Sequence, residues 1–336
     1  MDLPTYTPAQ LHQYLAHIEY PSDPPAVPID GSLPPAAAAA AQLALLTALA
    51  RHHLARVPFE SLALHYSPQR HISLDPAALF QKVVSAGRGR GGYCMEVNGL
   101  FGTVLRSLGF ARVAAAAARV DLGAGFRAWG HMVNLVTLPD GARYLVDVGF
   151  GSRTPHAPLR LRDDGRPEVL AGRWRLERTR LREHSDPGPR AWVLSTRAEK
   201  GDGEAAGWTA RYAVSEEEWF PEDFAMVNLF VSTAPQSYFV QTVMVVKALL
   251  NEDRTRVVGE MILHKDYVKR KLGRSSSDDG AEDAGETEEM LERMETEAQR
   301  VRALEKYFGI VLTPAEQAAI TGLPSEIRGG RKEFMA

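Results

Sequence analysis

Apolar positions change their period twice along this chain, and the changes divide it into thirds. In the first third they recur at helical spacing. Thr7-Pro8-Ala9-Gln10-Leu11 reads as an N-cap with proline at the first helical position. A longer helix is predicted from Ser32 and the prolines after it to about Arg56, with Leu43, Leu46, Ala50 and Leu54 as its apolar stripe. A third begins near Asp75-Pro76 and covers Ala77 to Val84. A fourth starts at Cys94 and stops at Leu108-Gly109.

Beyond Gly109 the pattern becomes β-like. Val113 to Val120 is alanine-rich, so propensity favours helix; its place between a helix stop and Asp121-Leu122-Gly123 favours a strand, which is the expectation. Met132–Leu138 and Tyr144–Val148, on either side of Pro139-Asp140-Gly141, predict a hairpin. Trp174–Arg180, Ala191–Ser195 and Trp208–Val214 extend the β-rich third, consistent with a small barrel. The last third mixes elements. Ser215 with Glu218 is read as the capping box of a helix, Phe239–Leu250 and Arg254–Lys265 as a strand pair, and Thr296–Phe308 as a helix. From Asp278 to Glu297 there are ten acids against one base, Arg293, so about 274–297 is read as a solvated acidic insertion rather than an interaction tail.

Composition narrows the classes of function. At 336 residues, 45% hydrophobic and 24% charged, the chain can bury a sizeable core. A net charge of −3 gives no electrostatic case for nucleic acid or an anionic membrane. The basic run Arg173 to Arg180 alternates like the solvated face of a strand. Ala36 to Ala50 is too short and too weakly hydrophobic to span a bilayer, and Met1 to Tyr6 lacks a secretory pattern, so a cytoplasmic location is expected. A single cysteine excludes an intrachain disulfide and a multi-cysteine zinc site; no metal is expected.

That cysteine, Cys94, follows Arg90-Gly91-Gly92-Tyr93, where two glycines permit a close turn into a helix. A helix N-terminus stabilises a thiolate. His131 lies 37 residues on, in Gly130 to Val136, and Asp147 lies 16 further, before Val-Gly-Phe-Gly. The turn at Asp140-Gly141 puts His131 and Asp147 on adjacent antiparallel strands, a few positions from direct opposition. Asp147 would orient His131, His131 would take the thiol proton, and the thiolate would attack an activated acyl group. Taken singly, each has a commoner structural reading: a buried apolar cysteine, a core histidine, a turn aspartate. Their joint spacing points to a nucleophile.

The surroundings carry a family resemblance. Pro58-Phe59-Glu60-Ser61, Arg90-Gly91-Gly92-Tyr93-Cys94-Met95-Glu96-Val97-Asn98, His131-Met132-Val133-Asn134-Leu135 and Asp147-Val148-Gly149-Phe150-Gly151 resemble, in order and spacing, the signature set of the arylamine N-acetyltransferases. The resemblance extends to Trp219–Phe224 and Asn228–Pro235 and omits only the acidic insertion and the extreme ends. It implies an α/β, multi-lobed fold with a cysteine-protease-like core. An N-terminal helical bundle (1–109) would carry Cys94, a central β-barrel (110–214) His131 and Asp147, and residues 215–336 would form an α/β lid. It also implies coenzyme A as acyl carrier and a ping-pong transfer through a Cys94 thioester to a small arylamine, arylhydrazine or N-hydroxy compound, as in xenobiotic detoxification. No nucleic acid, membrane or obligate protein partner is implied.

By position, Cys94, His131 and Asp147 map onto the family triad, and Glu60 and Arg90 onto a buried ion pair that steadies the cysteine loop. Arg127, Ala128, Trp129 and Gly130, in the loop before the histidine, correspond to one cofactor-facing stretch; Phe230, Ser237 and Tyr238 belong to another. An ordinary loop is the alternative for 125–130. Phe59, Tyr93 and Phe126, with Phe220 and Phe224, are candidates for the acceptor pocket, ordinary core being the alternative. Ser61 stands where many members carry asparagine. The acidic insertion and the proline- and alanine-rich start look like the longer fungal members, some of which resemble malonyl- or propionyl-coenzyme A users. Arg127 is a positional candidate for a malonyl carboxylate, and the acyl donor stays open. The rival readings are a macrolactam-forming amide synthase of the same family, a transglutaminase- or thiol-hydrolase-like enzyme, and a non-catalytic binding module.

Overall fold

Four helices build the N-terminal third around one apolar core. The computed structural model describes residues 3–21, 33–121, 123, 125–197, 207–273 and 286–328. At α1 (Pro8–His17) the Thr7 hydroxyl accepts from the Gln10 N–H while the Gln10 side chain accepts from the Thr7 N–H, a capping box ahead of Pro8. Helix α2 (Pro35–Arg56) buries Leu45, Leu46, Leu49 and Ala50 in a core shared with Tyr14, Ile18 and Phe101. Ser32, its expected start, lies outside the described residues. After the two-residue strand β1 (Phe59–Glu60), α3 (Pro76–Phe80) is capped by Asp75 and continues into a π turn. Helix α4 (Cys94–Ser107) stops at Gly109, whose φ of 94° suits glycine.

Strand β2 (Arg112–Asp121) sets position above propensity, for a reason of size. Ala115 and Ala117 face the cluster around Cys94, while Ala116 and Ala118 face the opposite core, so small side chains are needed on both faces. Next come β3 (Phe126–Thr137), β4 (Arg143–Val146), β5 (Leu159–Arg160), β6 (Glu168–Leu170), β7 (Trp174–Thr179), β8 (Ala191–Arg197) and β9 (Trp208–Val214). They join in the order β5-β4-β3-β2-β9-β8-β7-β6, and β5 approaches β6, so the antiparallel sheet nearly closes into a barrel. Trp174, Leu176, Trp192, Leu194 and Tyr212 fill it. Residues 126–130, expected as a loop, belong to β3 instead. Asp121 pairs with Phe126 and Arg119 with Trp129, with irregularities in β2 absorbing the offset.

The last third corrects three expectations. The helix expected at Ser215 begins at Pro221 (α5, Pro221–Thr233). The Ser215 and Trp219 N–H groups donate to Ala117 and Ala115 carbonyls, so 215–219 follows β2, and Glu216 is engaged by Arg143 and the Trp192 indole. The strand expected from Phe239 starts only after a short helix, α6 (Tyr238–Gln241), as β10 (Met244–Leu250). It pairs with β11 (Val257–His264), then β12 (Tyr267–Gly273) and β13 (Glu286–Arg293), in the order β1-β10-β11-β12-β13. The acidic segment is therefore not all insertion. Its first part, 274–285, lies outside the described residues, but 286–293 is a strand whose Glu288 and Glu289 sit opposite the basic Lys271 and Arg270 of β12. Helices α7 (Glu297–Ala303) and α8 (Pro314–Ala319) follow. One sheet face, with Val245, Leu263 and Val268, packs on Ala303, Leu304 and Phe308. Among the described residues no helix is long and apolar enough to cross a membrane.

Candidate active site

The segment that delivers Cys94 is clamped against β1. The Gly92 N–H donates to the Pro58 carbonyl at 3.2 Å, and the Glu60 N–H donates to the Gly92 carbonyl at 3.0 Å. A Cβ on Gly91 would lie 1.8 Å from the Pro58 oxygen, so only glycine fits. The Glu60 carboxylate accepts from Arg90 Nε at 3.0 Å and from the Gly91 N–H at 3.3 Å. Lys82 lies 2.7 Å from Glu96 and 3.7 Å from Glu60, and Glu96 accepts from the Tyr93 N–H at 3.0 Å. Burial opposes ionisation of Glu60, but Arg90 and Lys82 hold its pKa down to about 2.

Cys94 occupies the first position of α4, at the positive end of the helix dipole. It is buried, with Sγ 3.7 Å from the Gly130 carbonyl. His131, also buried, places Nε2 2.8 Å from Asp147 Oδ2. With Nε2 committed to Asp147, Nδ1 is the ring nitrogen left for another partner. Burial alone would lower the His131 pKa; the charge of Asp147 and its hydrogen bond, with Cys94 nearby, overcome this and raise it to about 10. Asp147 is the mirror case, with burial pushing its pKa up while His131, Asn98 and the Gly149 N–H hold it low.

Four residues complete this arrangement without having been singled out from the sequence. Asn98 donates from Nδ2 to Asp147 Oδ1 at 2.9 Å and to the Met132 carbonyl at 2.8 Å, and accepts from the Val148 N–H at 3.0 Å. It sits four residues after Cys94, on the same helix face, so helical spacing was a usable signal. The Tyr212 hydroxyl donates to Asp147 Oδ2 at 3.0 Å from β9, a contact with no local signature. Phe150 lies against the imidazole, ring centroids 4.9 Å apart. At Gly149 a Cβ would stand 3.0 Å from Cys94 Cα and 2.7 Å from Val97, so glycine lets the Asp147 turn close on α4.

The other predicted residues scatter. Glu60 and Arg90 pair at 3.0 Å; Phe59, Tyr93 and Phe224 pack in the cluster that holds Cys94, and the Tyr93 hydroxyl donates to Asn228. Phe126 packs instead against the small cluster of Leu181, Val193 and Ala213, on another part of the barrel. Arg127 and Ala128 are exposed on β3, Trp129 meets Trp219 edge-on and lies under Arg119, and Gly130 meets the Cys94 sulfur through its carbonyl. Phe220 and Phe230 are exposed, and Ser237 donates to the Val231 carbonyl at 2.6 Å. Tyr238 lines a cleft of about 210 Å³ with Arg153, His264, Tyr267, Lys269 and Lys271. Two ring contacts lead from this cleft to the cysteine: Tyr238 to Phe239 at 5.8 Å, then Phe239 to Tyr93 at 5.5 Å. Among the described residues no group of three His, Cys, Asp or Glu is placed to hold a metal.

A buried thiol at a helix N-terminus and a hydrogen-bonded histidine and carboxylate lie between the helix bundle and the β-barrel. A family model described as N-acetyltransferase matches residues 42–317. The N-malonyltransferase FDB2 of Fusarium pseudograminearum is 36% identical over 97% of this chain and 94% of its own length. The arylamine N-acetyltransferase structure from Mycobacterium abscessus superposes with a TM-score of 0.69 at 28% identity, covering 93% of each chain. That of Mycobacterium marinum in complex with CoA gives 0.66 at 28% identity, covering 92% of this chain and 97% of its own. The chain belongs to the arylamine N-acetyltransferase family, on its fungal side.

Proposed function

We propose that this protein is an acyl-coenzyme A-dependent N-acyltransferase acting on small aromatic amines through a thioester at Cys94. The observation that carries the reading is the file Cys94–His131–Asp147, with 2.8 Å between imidazole and carboxylate and the thiol at a helix N-terminus. His131 holds the thiol proton and Cys94 attacks the acyl carbonyl as thiolate. The carbon–sulfur bond to coenzyme A breaks, and the departing thiolate takes the proton from His131. An arylamine nitrogen then attacks the Cys94 thioester, His131 accepts the N–H proton, and the amide leaves with Cys94 again a thiolate. Asn98 and Tyr212 keep Asp147 in place throughout.

The chain's residues fit coenzyme A. Its phosphates need cations, and Arg153, Lys269 and Lys271 converge on the cleft that the Tyr238–Phe239–Tyr93 rings connect to the cysteine. Coenzyme A supplies the acyl group as an activated thioester. The relative named as an N-malonyltransferase, matched nearly end to end, supports malonyl among the donors. On this reading residues 1–109 carry the nucleophile, 110–214 its base and acid, and 215–336 the lid over the cofactor.

The test is intact mass after mixing the protein, without acceptor, with acetyl-, propionyl- and malonyl-coenzyme A in separate tubes. One acyl adduct, absent in Cys94→Ala, is expected, and the donor giving most adduct sets the preference. No adduct from any donor, in protein whose Cys94 titrates as a free thiol, overturns the proposal.

A further inference from the structure

The acidic strand β13 lies beside β12, which supplies two of the cleft's cations. The cleft floor is one face of the C-terminal sheet: Met244 and Val246 of β10, Ile262 and His264 of β11, Tyr267, Lys269 and Lys271 of β12. Glu288 of β13 is the register partner of Lys271 and shares that face. Its two oxygens divide between the two lysines, Oε1 at 2.9 Å from Lys269 Nζ and Oε2 at 3.6 Å from Lys271 Nζ. Both lysine side chains are 18% exposed, whereas Glu288 is 46% exposed and rims them from outside. The neighbouring pair, Arg270 with Glu289 at 2.6 Å, points to the other face and does not line the cleft. Glu260, across from Lys271 on β11, is buried and lines a separate small cavity.

We propose that Glu288 is an internal competitor for the cleft's cations, setting how tightly the protein holds a phosphate-bearing ligand. The inference rests on the reading of the cleft as the place of the coenzyme A phosphates. A phosphate that reaches Lys269 and Lys271 must displace the Glu288 carboxylate or bind beside it against like-charge repulsion. Removing that one charge leaves Lys269 and Lys271 on the same strand face, with Glu260 across from Lys271 as a carboxylate that remains. Affinity for coenzyme A then rises, alike for the free and the acylated forms, because Glu288 addresses the phosphates and not the acyl end.

The test is calorimetric titration of the full chain with free coenzyme A at low and at high salt. Glu288→Gln is expected to tighten binding about three- to tenfold at low salt, a gain that shrinks as salt screens the charges. Glu288→Asp keeps the charge and retains the wild-type salt dependence, and Glu289→Gln changes nothing. Lys269→Gln with Lys271→Gln weakens binding. If the lysine variant weakens binding while Glu288→Gln does not tighten it, the competitor role is overturned and the cleft reading stands. If the lysine variant binds as the wild type does, the cleft reading itself is overturned and the competitor role with it.

Discussion

Two buried histidines beside α4 meet opposite electrostatic fates. His131 stands at the N-terminal end of the helix, between Cys94 and Asp147, and its pKa is raised to about 10. His53 sits in the helical core, its ring 5.2 Å from Phe101 of the same helix, with the Tyr14 hydroxyl 2.8 Å from Nδ1 and Nε2 without a hydrogen-bond partner among the described residues. Burial, assisted by His17, drives its pKa down to about 3. Both rings are removed from water, 3% and 0% exposed, so desolvation is common to both and cannot be what separates them. The partner decides. A carboxylate held by three other donors gives the imidazole of His131 a counter-charge, whereas a neutral hydroxyl gives that of His53 none.

The sharpest way to break this contrast is to remove each ring in turn. His131→Asn should slow acyl-adduct formation about a thousandfold in stopped mass measurements, the range for loss of a general base. His53→Asn should leave that rate unchanged. Asp147→Asn, which deletes the counter-charge but keeps the shape, should cost about a hundredfold or more. It should also return His131 toward an ordinary histidine titration, read by NMR of the ring protons. An Asp147→Asn protein with full activity would show that the imidazolium does not depend on this carboxylate.

On stability the order reverses. His53→Leu strands the buried Tyr14 hydroxyl and should cost about 1–3 kcal/mol in denaturant melts, most of it regained in the double variant with Tyr14→Phe. Acidity separates the two sites further. His53, whose pKa is depressed, contributes stability present above the unfolded value near 6.5 and lost as pH falls toward about 3. His131, whose pKa is raised, contributes stability present below 6.5 and lost as pH climbs toward about 10. The slope of stability against pH should therefore differ from the wild type between about 3 and 6.5 for the His53 variant and between 6.5 and about 10 for the His131 variant; a changed slope in the same window for both would sink the assignment. The smallest effect expected is Tyr212→Phe, a two- to tenfold slower acylation, about the value of one hydrogen bond.

The helical third was legible because its signals are local. Thr7-Pro8, Asp75-Pro76 and Gly109 act within one turn of where they stand, and the structure starts or stops helices there. The hairpin that brings His131 to Asp147 was legible for the same reason, through the Asp140-Gly141 turn. Where local rules failed, a distant partner had claimed the backbone or side chain. Ser215 and Glu218 have the spacing of a capping box, yet the Ser215 N–H and the Glu216 carboxylate are bound to the barrel. Residues 286–293 have the charge of a solvated segment, yet basic β12 lies beside them and turns acid into strand.

The sequence by itself determined the chemical parts and their order: one cysteine after two glycines, a histidine and an aspartate either side of a tight turn, and a run of consecutive alanines small enough for a strand buried on both faces. Only the tertiary structure decided the charges. Tyr212 reaches Asp147 across 65 positions, Lys82 reaches Glu96 from another helix, and Glu288 reaches two lysines from an edge strand. Charge in a protein interior follows from which groups lie within a few ångströms and how little water remains between them. Neither quantity is a property of residues read in a line.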